Sequence, residues 1–328
     1  TATVDRVMNN RGGVAASKVA EVLRAVDALQ QHAVGPRYAS TSGAGLSFDV
    51  VLPADAGPST DYLGEQLGSI GRQRQETVNL HTVPKMDPAA LATQLIACSE
   101  KESDGLAFQP LDHPLVRDAV GRLAANKIPV LALTSEVSGS LAFDTVATDN
   151  RAAGRTAGFM MGRLAREPGK VVVFWGGALY RSHEDREIGF RTILRSEFPD
   201  LGVIEIDQGR DDAEGNYRQV SELLDRYDDI IGIYNVGGGN RGIAKALVER
   251  DQAGNVVFVG HNLTPVTQSL LIEGTMDLVI HQDMRRVAET AIAALIGQNK
   301  GLPAIVEPVP VEIIVRENIM GQAGGYAG

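Results

Sequence analysis

"IIGIYNVGGGNRGIAKALVER", residues 230–250, poses the question on which the fold turns. An apolar run over 230–234 passes through Gly237, Gly239 and Gly242 into a helical pattern over 243–250. Strand, glycine turn and helix in that order are the building unit of a parallel α/β sheet. The glycine spacing is also that of a dinucleotide fingerprint. Such a fingerprint follows the first strand of its βαβ unit and has an acidic residue about 20 positions on, to hold the ribose. Here the motif follows roughly the seventh strand candidate, and the next one, 256–259, runs into Gly260, His261 and Asn262. The loop therefore reads as a sharp turn that presents Tyr234, Asn235 and backbone N–H groups to a cleft.

Working outward, the same texture repeats. Strand candidates lie at 48–52, 77–83, 105–108, 129–133, 171–175, 203–206, 230–234, 256–259 and 278–280. Amphipathic helices lie between most of them, at 61–74, 88–99, 114–126, 151–165, 186–198, 212–227, 243–250, 265–273 and 284–297. Continuous apolar strands alternating with helices predict parallel sheets covered on both faces. The strands are too many for one comfortable sheet. The expected fold class is α/β: two similar three-layer α/β/α lobes with parallel sheets, the chain crossing between them at "ATDNRAAG", 147–154. One lobe takes 46–149 plus about 283–311, and the other takes 150–282 plus about 312–328, with "VPVEIIV" at 309–315 completing the sheets. Residues 1–34 read as helical, and "GPRYASTSGAG", 35–45, reads as a linker.

The bulk numbers narrow the class. The 328 residues suit about two domains, and 44% hydrophobic residues suit a folded chain. No run approaches the roughly 18 apolar residues that cross a bilayer, so no membrane association is expected. Cys98 is the only cysteine, which excludes an internal disulfide and a cysteine-based zinc site. A net charge of −10 argues against a surface that coats nucleic acid. Residues 1–45 are the exception, with five basic and three acidic side chains. The first residue is Thr1, so the sequence is expected to begin inside a longer protein.

In open α/β sheets ligands bind beyond the carboxyl ends of the strands. The residues there include Asp55, Thr134, Ser135, Asp149, His183, Arg186, Tyr234, Asn235, Asn262 and Gln282. Amides, hydroxyls, carboxylates and an arginine suit a neutral polyhydroxylated molecule: they bond hydroxyl pairs, while aromatics cover the apolar ring face. They are a poor set for catalysis. No Gly-x-Ser-x-Gly elbow and no His-Glu-x-x-His occur, and the six histidines are scattered. The expectation is a binding protein, not an enzyme, with no cofactor and no metal.

"IPVLALTSEVSG" (128–139), "ATDNRAAGRTAG" (147–158), "REIGF" (186–190), "VVFVGHNLTP" (256–265) and Gln282 resemble the lactose-repressor family of bacterial transcription regulators. The two-lobed part is similar to periplasmic sugar-binding proteins of the ribose-binding type. The resemblance implies that Asp55 meets the ligand from the first-strand loop and that Thr134 and Ser135 are the first lobe's polar contacts. Ribose-binding relatives carry Asp-Arg at that pair, so the sugar stays open. It implies further that Asp149 lies at the crossover, that Arg186 clamps the ligand, and that Asn235, Asn262 and Gln282 complete the site. "TATVDRVMNNRGGV" and "SKVAEVLRAVDAL" look like the later helices of a helix-turn-helix head whose first helix lies upstream. Thr1, Ala2 and Arg6 would then enter the major groove and Asn9 would hold phosphate. Gly43 and Gly45 disfavour the family's hinge helix.

The resulting expectation is a cytoplasmic, dimeric repressor-type regulator. Its effector is a sugar or polyol, with or without a phosphate, and its partner in the full-length protein is operator DNA. The alternative is a periplasmic sugar receptor of a transport system, and a nicotinamide-dependent enzyme using the glycine loop is the third reading.

Overall fold

The chain enters its first sheet at β1 (Ser47–Pro53) and continues through α1 (Pro58–Gln73), β2 (Thr77–Val83), α2 (Pro88–Ser99), β3 (Gly105–Phe108), α3 (Pro114–Ala125), β4 (Val130–Leu133) and β5 (Asp144–Val146). The five strands are parallel, in the order β2-β1-β3-β4-β5. Two-residue alternation sends β1 side chains to both faces. Phe48, Val50 and Leu52 pack with Leu63 and Leu67 of α1, and Val51 packs with Leu91 and Leu95 of α2 and Val116 of α3. All of these side chains are buried, each worth roughly 1.5–3 kcal/mol when fully removed from water.

A second lobe follows: α4 (Asn150–Leu164), β6 (Gly169–Phe174), α5 (Arg181–Glu197), β7 (Leu201–Ile206), α6 (Ala213–Arg226), β8 (Ile230–Asn235), α7 (Asn240–Glu249), β9 (Val257–His261), α8 (Pro265–Glu273) and β10 (Leu278–Gln282). The next helix, α9 (Met284–Asn299), leaves this lobe. Its Val287, Ala291 and Leu295 pack among Phe48, Leu63 and Leu67 of the first lobe. The chain then returns: the Val309 N–H bonds the Ala147 carbonyl at 2.9 Å, and β11 (Val311–Ile314) adds an antiparallel edge strand to β10. The second sheet runs β11-β10-β9-β8-β6-β7. The connections between the lobes thus lie after Val146, after Gln282 and near Val309.

The structure describes Lys18 and residues 45–100, 103–139, 143–177, 179–206, 212–302 and 306–321. The head expected over 1–34, with Thr1, Ala2, Arg6 and Asn9, and the linker over 35–45 fall outside these residues except for Lys18 and Gly45. Among the described residues no helix is long and apolar enough to cross a membrane. Two elements differ most from the sequence reading, while α1 and α7 each begin three residues earlier than expected. β5 has only three residues, too short to show a period. α5 begins at Arg181 instead of 186, because its first turns, "RSHED", are polar and carry no apolar stripe.

Candidate functional site

Loops after the strands of both sheets converge on a cleft of about 450 Å³. That is the size range of small-ligand sites. Several strand ends turn into it through left-handed backbone. Asp55 after β1 has φ 53°, Thr134 after β4 has φ 64°, and Asn262 after β9 has φ 61°. A β-branched residue at positive φ is strained, at a cost on the order of 1–3 kcal/mol. Thr134 is held there by two bonds. Its N–H donates to the Val146 carbonyl at 2.8 Å, and its carbonyl accepts from Asn150 Nδ2 at 3.2 Å.

Asn150 reaches both ways. Its Oδ1 accepts from Arg186 Nε at 2.8 Å, and Arg186 Nη1 donates to the Val236 carbonyl at 3.1 Å. Arg186 is 7% exposed and lines the cleft, two turns into α5. The second lobe's lining is rigidified further by a bond of 2.7 Å between Tyr234 Oη and His261 Nε2. Burial pushes the Tyr234 phenol upward and holds His261 well below its usual value, with Arg186 and His183 adding to the latter effect. The pair is therefore neutral on both sides. Asn262 is fixed as well: its carbonyl accepts from Thr267 Oγ1 at 2.8 Å, and its Oδ1 accepts from the Gln282 N–H at 3.4 Å.

Gln282, the last residue of β10, is 3% exposed, and neither polar atom of its amide has a hydrogen-bond partner. A buried amide with both ends unpaired costs a few kcal/mol, so such groups mark places where something else bonds. Gln282 lines the cleft.

The glycine loop answers the question raised by the sequence. Gly239 caps α7 at φ 77°, and a Cβ there would strike the Asn216 side chain. Gly242 faces the Ala213 carbonyl so closely that a Cβ would overlap it, which is how α6 and α7 pack. Two of the three glycines thus have packing reasons independent of any nucleotide. The Gly238 carbonyl is pinned by Asn235 Nδ2 at 2.7 Å and Asn216 Nδ2 at 3.3 Å.

Of the residues expected at the site, Asp55, Thr134, His183, Arg186, Asn262 and Gln282 line the cleft. Four do not. Ser135 is buried and its Oγ accepts from the Ser182 N–H at 3.0 Å, joining the lobes. Asp149 is the N-cap of α4, accepting from the Ala152 N–H at 2.8 Å, and borders a separate cavity beside Glu136 and Arg151. Tyr234 is fully buried, stacked on Phe190 with ring centroids 4.4 Å apart. Asn235 is turned into the glycine loop, also donating to Asn240 Oδ1 at 2.8 Å. A strand buried on both faces gives no sequence signal for which side chains reach the cleft, and the structure turns Tyr234 and Asn235 away from the cleft lining. The structure adds Thr60, Lys85, Gln109, Asn240 and Arg241 to the lining. Asn240 and Arg241 stand in the glycine stretch itself, just before the helix expected from 243, and the observed helix begins with them.

The lobes touch around this cleft. Tyr180 inserts among first-lobe core residues, and the Asp112 N–H bonds the Leu179 carbonyl at 2.7 Å.

The periplasmic binding protein domain is matched by residues 49–302. No curated protein sequence matches significantly. Among solved structures, the chain is similar to an ABC-transporter solute-binding protein from Agrobacterium vitis bound with α-D-tagatopyranose. The TM-score is 0.79 at 17% identity, over 86% of this chain and 100% of that one. A glucose-galactose binding protein from Geobacillus stearothermophilus gives 0.76 at 17%, over 84% and 99%. A sugar-binding protein of a sugar ABC transporter from Bacillus halodurans gives 0.74 at 21%, over 83% and 98%. At these identities the likeness shows the fold: two lobes of the type I periplasmic-binding-protein kind. These findings correct the expectations of a transcription regulator, of a repressor and of a cytoplasmic protein, because the family that matches is the periplasmic binding protein domain and the similar structures are described as solute- or sugar-binding proteins. They lend no support to operator DNA or a homodimer as partners.

Proposed function

The chain belongs to the periplasmic binding protein domain family, and from that premise we propose that it is a solute receptor that binds a small sugar or sugar-like molecule between its lobes. The observation that carries this reading is Gln282: a buried amide, unpaired at both ends, facing a cleft lined by hydroxyl, amide, guanidinium and carboxylate groups. A polyol supplies donors and acceptors in adjacent pairs and satisfies such an amide at both atoms. Structures of similar fold that hold α-D-tagatopyranose and D-arabinose support the ligand class. Their descriptions as transporter components support an extracytoplasmic role, in partnership with an ABC transporter. The lobes are taken as 46–149 with about 283–311 and 150–282 with about 312–328, a division supported by the packing of α9 and the pairing of β11. Asp55, Thr134, His183, Arg186, Asn262 and Gln282 are assigned to the ligand.

A thermal-shift screen against monosaccharides, polyols and sugar phosphates tests the reading. A native-state ligand raises the melting temperature by mass action. The expected result is a rise with one sugar class that Gln282→Leu abolishes. A rise with a dinucleotide and none with any sugar would overturn it.

A further inference from the structure

Six of the described helices carry a side-chain N-cap: Asp87 on α2, His113 on α3, Asp149 on α4, Asp212 on α6, Thr264 on α8 and Asp283 on α9. The other three, α1, α5 and α7, have Gly57, Tyr180 and Gly239 at the cap position and no side-chain cap bond. All three start in the cleft, at Gly57–Thr60, at Ser182 and His183, and at Gly239–Arg241. The first N–H groups of a helix have no partner within it, and the helix dipole places positive potential there. Of the three, α5 has its Ser182 N–H bonded to Ser135 Oγ at 3.0 Å and Glu184 in its first turn, and α1 opens on Pro58, which has no N–H, with Asp61 following, so the start of α7 is the terminus that favours an oxyanion.

The charges of the lining have the same sign. Among the described residues the cleft is lined by Lys85, Arg186 and Arg241, against the single carboxylate of Asp55. This stands out in a chain of net charge −10. Lys85 comes from the first lobe and Arg241 from the second, so closure brings cations from both sides. α7 has no acidic residue in its first turn and carries Arg241 there. The unpaired, buried amide of Gln282 is independent evidence that the cavity is built for a polar occupant.

We infer that the ligand of this cleft is an anionic polyol, a sugar acid or a sugar phosphate, whose oxyanion lies toward the Gly237–Arg241 turn at the start of α7. The inference rests on the sugar-binding reading above and specifies its class. It implies no dinucleotide.

The test is calorimetry with two matched sets: glucose, glucuronate and glucose 6-phosphate; galactose, galacturonate and galactose 6-phosphate. The expected result is that an anionic member binds at least about tenfold tighter than its neutral parent. Lys85→Met and Arg241→Met should each remove most of that difference, with unchanged melting temperatures in the absence of ligand. The carboxylate and phosphate arms distinguish the two sources of the oxyanion. Equal or tighter binding of the neutral sugar would overturn this inference and leave the sugar-binding reading standing. Binding by none of the six compounds, together with no thermal shift from any monosaccharide, polyol or sugar phosphate, would overturn both.

Discussion

Arg186 Nε donates to Asn150 Oδ1 at 2.8 Å between two buried side chains, one on a helix that opens at the cleft and the other at the start of the crossover helix. Through its amide Asn150 also holds the Thr134 carbonyl of the first lobe, so one side chain ties the strained turn, the crossover and the cation of the cleft together. Asn150→Ala should lower stability in urea by about 2 kcal/mol, the scale for a hydrogen bond to a charged group, and weaken ligand binding. Asn150→Asp keeps the acceptor for Arg186 and loses the donor to Thr134. Its calorimetric affinity should lie between the two. Unchanged affinity in Asn150→Ala would show that Arg186 is positioned by other contacts. Arg186→Ala should lose both binding and stability, since the Val236 carbonyl also depends on it.

Gln282→Leu should separate binding from stability. Leucine nearly matches the glutamine volume and removes two unpaired buried polar atoms. Without ligand the variant should be as stable as the wild type or more stable by about 1 kcal/mol. With ligand it should bind about a hundredfold more weakly by calorimetry. Loss of stability in urea without ligand would mean that the amide is bonded within the protein.

Gly242→Ala tests why the glycine loop is glycine-rich. The added methyl overlaps the Ala213 carbonyl across the α6–α7 contact. Overpacking of this kind costs roughly 1–3 kcal/mol, and the urea midpoint should fall accordingly. A neutral result would return the motif to a purely ligand-related role.

Acid should destabilise the second lobe through its histidines. Burial holds His261 well below 6.5, assisted by Arg186 and His183. Burial also lowers His281, against the opposing pull of Glu312 and Asp283. A base depressed in the folded state is neutral there, while the unfolded chain takes up its proton below about 6.5. The stability contribution is complete above that pH and is lost as the pH falls toward the folded-state value. His281 shows the structural cost, since its Nδ1 accepts from the Leu263 N–H at 3.1 Å and protonation breaks that bond. Melting temperatures measured from pH 7 to pH 5 should fall, and less steeply in His261→Gln. A parallel fall in both proteins would assign the acid sensitivity to other groups.

Much of the architecture was legible because each buried strand announces itself. β2, α2, β3 and α8 coincide with the apolar and amphipathic segments in the sequence. β5 was not legible: three residues cannot display a period. The site divided along a different line. Residues past a strand end, such as Asp55 and Asn262, reach the cleft because the chain turns there, and Gln282 reaches it from the last position of β10. Tyr234 and Asn235 still belong to the strand, where pleat and packing decide their direction. Lys85 and Arg241 carry no signal in the sequence, because a single cation there looks like any solvated surface residue until a second lobe faces it.

The excursion of α9 determines when the molecule can become itself. The strands of the first lobe are the earliest to be made, yet their sheet lacks one covering helix until residues 284–299 arrive. Pairing so distant in the chain folds slowly and leaves apolar surface waiting. On the ribosome the first lobe is therefore finished only after the parallel strands of the second sheet have been made. A chain cut after Gln282 would strand Phe48, Leu63 and Leu67 without their cover, although every strand of the first sheet is still present.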